Sequence, residues 1–238
     1  MRNILILGAS GSIAYSLIDY LGPNHKIKCI DNNLENAKGE LNIAQLDVSD
    51  SEKFREYLAL LSDDDFPECM INLCGQIVSR ALLDVFISDE RTMQIDEIAH
   101  LKDFNDNVNC QAIPMLVFSE ELIKRKKKGK IVNFSSVNSR GAFGQFGYSS
   151  AKSTIESMSR SLALEVGIHG IQVNCISPGH LNLPNLTKNM NENGINRVVQ
   201  QSALKRLVDV NDVCLAVDFL LSTSGVSGTT LHVHSNIG

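Results

Sequence analysis

Asn3-Ile4-Leu5-Ile6-Leu7-Gly8-Ala9-Ser10-Gly11-Ser12-Ile13-Ala14 is the stretch from which the fold can be read. An apolar run of this length suits a buried strand, and the glycine directly after it marks a tight turn. From Ser12 the residues resume a pattern that predicts a helix through Leu21. A strand that passes through a glycine-rich turn into a helix lets its backbone approach a pyrophosphate. The phosphate charge then meets free N–H groups and the positive end of the helix. Gly8, Ser10, Gly11, Ser12 and Ile13 are therefore the first candidate dinucleotide-binding residues.

Short apolar runs continue to alternate with longer amphipathic stretches along the whole chain. Candidate strands are Asn3 to Leu7, Lys26 to Ile30, Asn42 to Leu46, Cys69 to Leu73, Lys130 to Phe134, Gln172 to Ile176 and Thr229 to Val233. Strands separated by helical crossovers argue for the α/β class. The expected architecture is a single Rossmann-like domain over residues 1–238, a doubly wound parallel sheet of about seven strands in the order 3-2-1-4-5-6-7. The connection from Leu73 to the helix around Asn109 is long and carries Val85 to Ile98 as a candidate additional helix. Residues 77–100 thus read as an insertion near the carboxyl ends of the strands, where such folds bind ligands. Asp31 closes the second strand. A carboxylate there accepts hydrogen bonds from both ribose hydroxyls and repels the extra phosphate of NADP, so NAD(H) is the expected cofactor and NADP(H) the alternative.

A chain of 238 residues, 43% of them hydrophobic, can bury one sizeable core. Its net charge of -5 supplies no overall basic field of the kind that draws proteins to nucleic acid. The run Lys124-Arg125-Lys126-Lys127-Lys128 follows the apolar-periodic stretch Met115 to Ile123 and reads as a solvated helix end, where cations oppose the negative pole of the dipole. Asp63-Asp64-Asp65 reads as a surface turn. The six cysteines form no Cys-x-x-Cys pair and no metal-ligand spacing with the six histidines. They are expected to be reduced, buried thiols of a cytoplasmic protein without a metal site. No segment approaches the roughly 18 apolar residues of a membrane span, so no membrane partner is expected.

The chemistry concentrates in Tyr148-Ser149-Ser150-Ala151-Lys152, twelve residues after Ser136. Positions four apart on a helix lie one above the other, so the Lys152 ammonium can approach the Tyr148 phenol. A fixed cation favours the phenolate, which fits a tyrosine for proton transfer near neutral pH. A serine at the end of the strand Lys130 to Phe134, from the pair Ser135-Ser136, is placed to hydrogen-bond the substrate oxygen.

With the glycine-rich stretch Gly141 to Gly147 and the small-residue helix that follows, these segments resemble the active-site region of the short-chain dehydrogenase/reductase family. The resemblance extends over essentially the whole chain and implies the roles of further residues. Asp47-Val48 resembles the family's adenine-contacting pair, and Asn72-Leu73-Cys74-Gly75 resembles a turn that flanks the cofactor, making Asn72, Cys74 and Gly75 candidates. Asn109 matches the helix asparagine that links the active-site lysine to water. Spacing within the family pattern selects Ser136 as the catalytic serine and leaves Ser135 as a structural hydroxyl. Pro178, Gly179 and Leu181 resemble the loop over the nicotinamide, and residues 180–208 the substrate lid.

Departures are visible too. Leu7, Ser12 and Ala14 replace a threonine and two glycines of the compact branch, and Ser235-Asn236 stands where Gly-Gly is usual. The implied activity is an NAD(H)-dependent oxidoreductase that interconverts a secondary alcohol and a ketone, on a polar or sugar-like small molecule, with Ser136, Tyr148, Lys152 and Asn109 as catalytic residues. Tyr148 and Lys152 also contact the cofactor. The family implies a homodimer or homotetramer. The spacing of Gly8, Gly11 and Ala14 keeps open a nucleotide-sugar epimerase or dehydratase of the same superfamily, and the altered motifs keep open a non-catalytic dinucleotide-binding protein.

Overall fold

The computed structural model describes residues 1–35, 37, 41–80, 95–187 and 192–234. Seven strands form one sheet: β1 (Asn3–Leu7), β2 (Lys26–Asp31), β3 (Ile43–Gln45), β4 (Cys69–Asn72), β5 (Gly129–Phe134), β6 (Ile171–Pro178) and β7 (Thr230–Val233). All pairings are parallel, in the order β3-β2-β1-β4-β5-β6-β7, as the apolar runs predict. The crossovers are α1 (Ser12–Leu21), α2 (Ser51–Ala59), α3 (Glu97–Lys124), α4 (Phe146–Val166), α5 (Pro184–Thr187), α6 (Glu192–Gln201) and α7 (Val210–Ser222).

Parallel strands covered by helices on both faces have little use for alternation, which is why β1 and β4 read as near-continuous apolar runs. One face packs under α2, α3 and α4 through Phe54, Met115, Phe118 and Leu162; the other packs under α1 and α7 through Leu17, Leu21, Val213 and Val217. Pairings of Leu7 with both Ile30 and Asn72, and of Phe134 with Ile176, bring the carboxyl ends of β1, β2, β4, β5 and β6 to one edge. Between β2 and β4 the chain leaves β1 in opposite directions, which opens a crevice at that edge.

The basic run is not merely solvated. Lys124 pairs with Glu120 at 2.6 Å, Arg125 pairs with Asp63 at 2.7 Å, and Lys127 donates to the Asp63 carbonyl at 2.5 Å. The acidic turn therefore meets the end of α3. Arg125 also lies 4.3 Å above the ring of Phe66, which stacks on Phe118 at 5.7 Å. The candidate helix over Val85 to Ile98 falls mostly on residues 81–94, outside the described residues; Ile98 belongs to the first turn of α3. Ser235-Asn236 also lies outside them. All six cysteines are free thiols, and burial pushes Cys29, Cys110 and Cys214 up to about 11 and Cys69 and Cys175 up to about 12. Among the described residues no helix is long and apolar enough to cross a membrane.

Phe118 joins α3 to the sheet and to the Phe66 segment. Phe118→Ala is expected to cost about 3–5 kcal/mol in urea unfolding. Leu60→Ala, at an exposed helix end, should stay within about 0.5 kcal/mol.

Candidate active site

The turn after β1 is built around Gly8, whose φ of 75° is a left-handed value. A Cβ there would stand 3.0 Å from the Cys74 nitrogen and the Leu73 carbonyl carbon, so the turn and the end of β4 touch backbone to backbone. The N–H groups of Gly8 and Ala9 both donate to the Ile30 carbonyl, and Gly11 N–H donates to the Gly8 carbonyl. Gly11 is the N-cap of α1 and has no side chain with which to cap it; no acidic residue occupies the first turn. The positive end of α1, with Ser12 and Ile13, is thus offered to an anion.

Asp31 does more than end β2. Its Oδ2 accepts from the Ser10 N–H at 2.8 Å and the Ser10 hydroxyl at 2.7 Å, while Oδ1 accepts from Asn33 N–H at 3.1 Å. The carboxylate ties the glycine-rich turn to β2 and remains half-exposed beside it. Asp47 Oδ1 accepts from the N–H and hydroxyl of Ser49, and Val48 is buried next to it.

The turn after β4 is held from α3. Asn72 Nδ2 donates to the Cys110 carbonyl at 3.0 Å and its Oδ1 accepts from Cys74 N–H at 3.0 Å. Gln111 Nε2 donates to the carbonyls of Asn72 and Cys74, at 3.1 and 2.6 Å. Gln111 was invisible in the sequence, where nothing distinguishes it from an ordinary helix polar residue. Its signal is burial, which only packing supplies.

Asn109 is not brought to this cluster. It is exposed, whereas Asn107, at 2% exposure, accepts from the Gln76 N–H at 2.9 Å and donates to the Asp103 carbonyl at 2.9 Å. A Cβ on Gly75 would lie 3.1 Å from both Asn107 Oδ1 and Lys152 Nζ, so the asparagine and the ammonium both crowd the face of Gly75 where a side chain would stand. Two residues along a helix is a rotation of roughly 200°, so only one of the two asparagines can face Lys152.

Lys152 is 4% exposed and donates to the Phe134 carbonyl at 2.8 Å. Its ammonium lies 5.7 Å from the centre of the Tyr148 ring, which is itself buried at 6% exposure. Among the described residues no carboxylate pairs with Lys152. Ser136 follows β5, is half-buried, and its Oγ accepts from Asn138 N–H at 3.2 Å. The Ser135 hydroxyl is turned inward, 2.6 Å from Glu156 Oε1 and 3.2 Å from the Lys152 carbonyl. The two serine hydroxyls thus have different surroundings. On the far side, Gly179 N–H donates to the Val233 carbonyl, and buried Leu181 bridges to Val208. Burial lowers the pKa of His180.

The turn, α1, Asp31, Asn72, Gly75, Ser136, Tyr148 and Lys152 thus share one edge of one sheet. A family model described as enoyl-(acyl carrier protein) reductase matches residues 30–235. The chain belongs to the short-chain dehydrogenase/reductase family. It is an oxidoreductase of that family. It is 28% identical over 246 residues to the 3-oxoacyl-[acyl-carrier-protein] reductase FabG of Vibrio harveyi, covering 99% of this chain and 88% of that protein. The FabG of Buchnera aphidicola is 30% identical over 188 residues, 76% of this chain and 75% of its own. A short chain dehydrogenase from Leptospira borgpetersenii with bound NAD+ superposes with a TM-score of 0.82 at 25% identity, covering 98% of this chain and 91% of that one.

Gly8→Ala should destabilise the protein by about 1–3 kcal/mol, because the added methyl group meets backbone in a left-handed conformation. Gly167→Ala is expected to have the opposite sign, a gain of about 0.4–1 kcal/mol, since Gly167 has helical angles and open space around it. Urea unfolding of both variants checks the pair.

Proposed function

We propose that this protein is an NAD(H)-dependent oxidoreductase that interconverts a secondary alcohol and a ketone, with Tyr148 handling the proton. The observation that carries the reading is the Lys152 ammonium, buried beside the Tyr148 ring with no carboxylate partner among the described residues. A fixed positive charge beside the ring suits Tyr148 to a role in proton transfer. In the oxidative direction the alcohol loses its hydroxyl proton to Tyr148 as its carbinol hydrogen leaves as hydride. The cofactor supplies the hydride acceptor. Ser136 donates a hydrogen bond to the substrate oxygen, and Asn107, in place of the expected Asn109, fixes the turn at Gly75 beside Lys152.

The residues present fit a dinucleotide. The approach at Gly8 leaves no room for a side chain, and α1 offers an uncapped positive end. The negative charge of Asp31 stands beside the turn, which favours NAD(H) over NADP(H). Pro178, Gly179 and Leu181 are assigned to the nicotinamide side, Asp47 and Val48 to the adenine side, and residues 180–208, of which 188–191 lie outside the described residues, to the substrate cover.

Polar groups crowd the mouth. Arg80 pairs with Asp103 at 3.6 Å and its N–H donates to the Gly144 carbonyl; Asn138 donates to Gln145 at 2.8 Å. These support a polar substrate, whereas the names of the relatives favour a 3-oxoacyl thioester. Initial rates on a panel of polyols, sugars and 3-oxoacyl thioesters separate the two. Exposed Leu116, Leu164 and Ile168 on or beside α3 and α4 support a homodimer or homotetramer; Leu164→Lys should shift sedimentation toward the monomer.

Tyr148→Phe is expected to keep NADH affinity, measured by calorimetry, while kcat/KM falls about 10²–10⁴-fold. Unchanged turnover in this variant would remove the phenol from its assigned role. Asn107→Ala should lower kcat by about tenfold or more through misplacement of Lys152, whereas Asn109→Ala should stay within about twofold.

A further inference from the structure

A cavity of about 920 Å³ opens at the amino-terminal edge of the sheet, the far end of the strands from Tyr148. The starts of β4, β5 and β6 line it, with the ends of α4 and α7 beside them. Four cations face it, Arg2, Lys127, Lys128 and Lys130, against one carboxylate, Glu68. In a chain whose net charge is -5, this is a local reversal of sign. None of the ion pairs among the described residues involves any of the four.

Helix ends account for part of this cluster. α3, α4 and α7 all terminate at this edge, and their negative poles favour cations. Lys130 Nζ donates to Gln172 Oε1, to the Leu220 carbonyl at 3.3 Å and to the Thr223 carbonyl, and Lys127 Nζ donates to that of Asp63. Arg2 and Lys128 are left over. Arg2 donates its backbone N–H to His25 Nδ1 and accepts at its carbonyl from Lys26 N–H, and Lys128 lays its stem along Gly170, where a Cβ would meet its Cγ at 2.8 Å. Burial lowers the pKa of Lys130, Arg2 lowers it further and Cys69 opposes, as expected of a cation lacking a counter-ion. The hydroxyls of Ser222, Ser224 and Ser227 stand on another wall.

We propose that this cavity binds a small polyanion with at least two phosphoryl groups, at a site separate from the dinucleotide crevice. Each phosphoryl group brings roughly 1.5–2 negative charges, so two of them can engage Arg2 and Lys128 together within the added field of Lys127 and Lys130. Arg2 contributes a fork for two phosphate oxygens, and the lysines act as point charges.

The test is calorimetric titration of the full chain with tripolyphosphate at low ionic strength, with and without saturating NADH. One site is expected, insensitive to NADH and weakened by added salt. The Arg2→Gln, Lys128→Gln double variant should bind about tenfold more weakly or worse. Both changes are at the surface, and circular dichroism verifies the fold; Lys128→Glu gives an independent check, with binding lost. Equal affinity in the double variant, displacement by NADH, or no binding overturns the proposal. Polyglutamate that binds as tightly as tripolyphosphate also overturns it, in favour of an acidic protein surface. If NADH itself fails to bind, the reading of the crevice fails, and the variants still decide this one.

Discussion

A single buried ammonium organises the carboxyl edge of the sheet. Desolvating a lysine costs several kcal/mol, which must be offset by fixed dipoles when no carboxylate is present. Lys152 meets the carbonyl of Phe134, the last residue of β5, and crowds Gly75, whose turn Asn107 holds through the Gln76 N–H. Three elements must therefore be in register for the charge to be tolerated: α4, the end of β5, and the turn after β4. The same placement leaves the cation beside Tyr148. Packing and chemistry rest on one contact set.

The turn after β4 is correspondingly over-determined. Asn72 and Gln111 bind each other's backbone neighbourhood across β4 and α3, and Gly8 meets Cys74 from the opposite side. The glycine-rich turn after β1 and the Tyr148–Lys152 pair are thus joined through one short segment of backbone. Fixed groups of this kind need no rearrangement as charge develops, which is how such a site lowers a barrier.

The two edges of the sheet differ in electrostatic character for a topological reason. In parallel α/β packing, helices begin at the carboxyl edge and end at the amino edge. The positive pole of α1 faces the crevice, while the negative poles of α3, α4 and α7 gather at the other end with Arg2, Lys127, Lys128 and Lys130. Excess cations beyond those that cap carbonyls give that second edge its own capacity for anions.

The strand order, the turn at Gly8 and the pairing of Tyr148 with Lys152 were legible from residues alone, because each depends on local spacing: a strand's length, a glycine's freedom, one helical turn. Ser135 and Ser136 also differ in the structure, where the inner hydroxyl of Ser135 is held by Glu156. Choosing Asn107 over Asn109 was beyond the sequence, since both sit on α3 and only its rotation against β4 decides which is buried. Gln111 and the cation-lined cavity were hidden for the same reason. Their partners lie tens of residues away, so periodicity carries no trace of them until the sheet brings Asn72 under α3 and Arg2 beside Lys130.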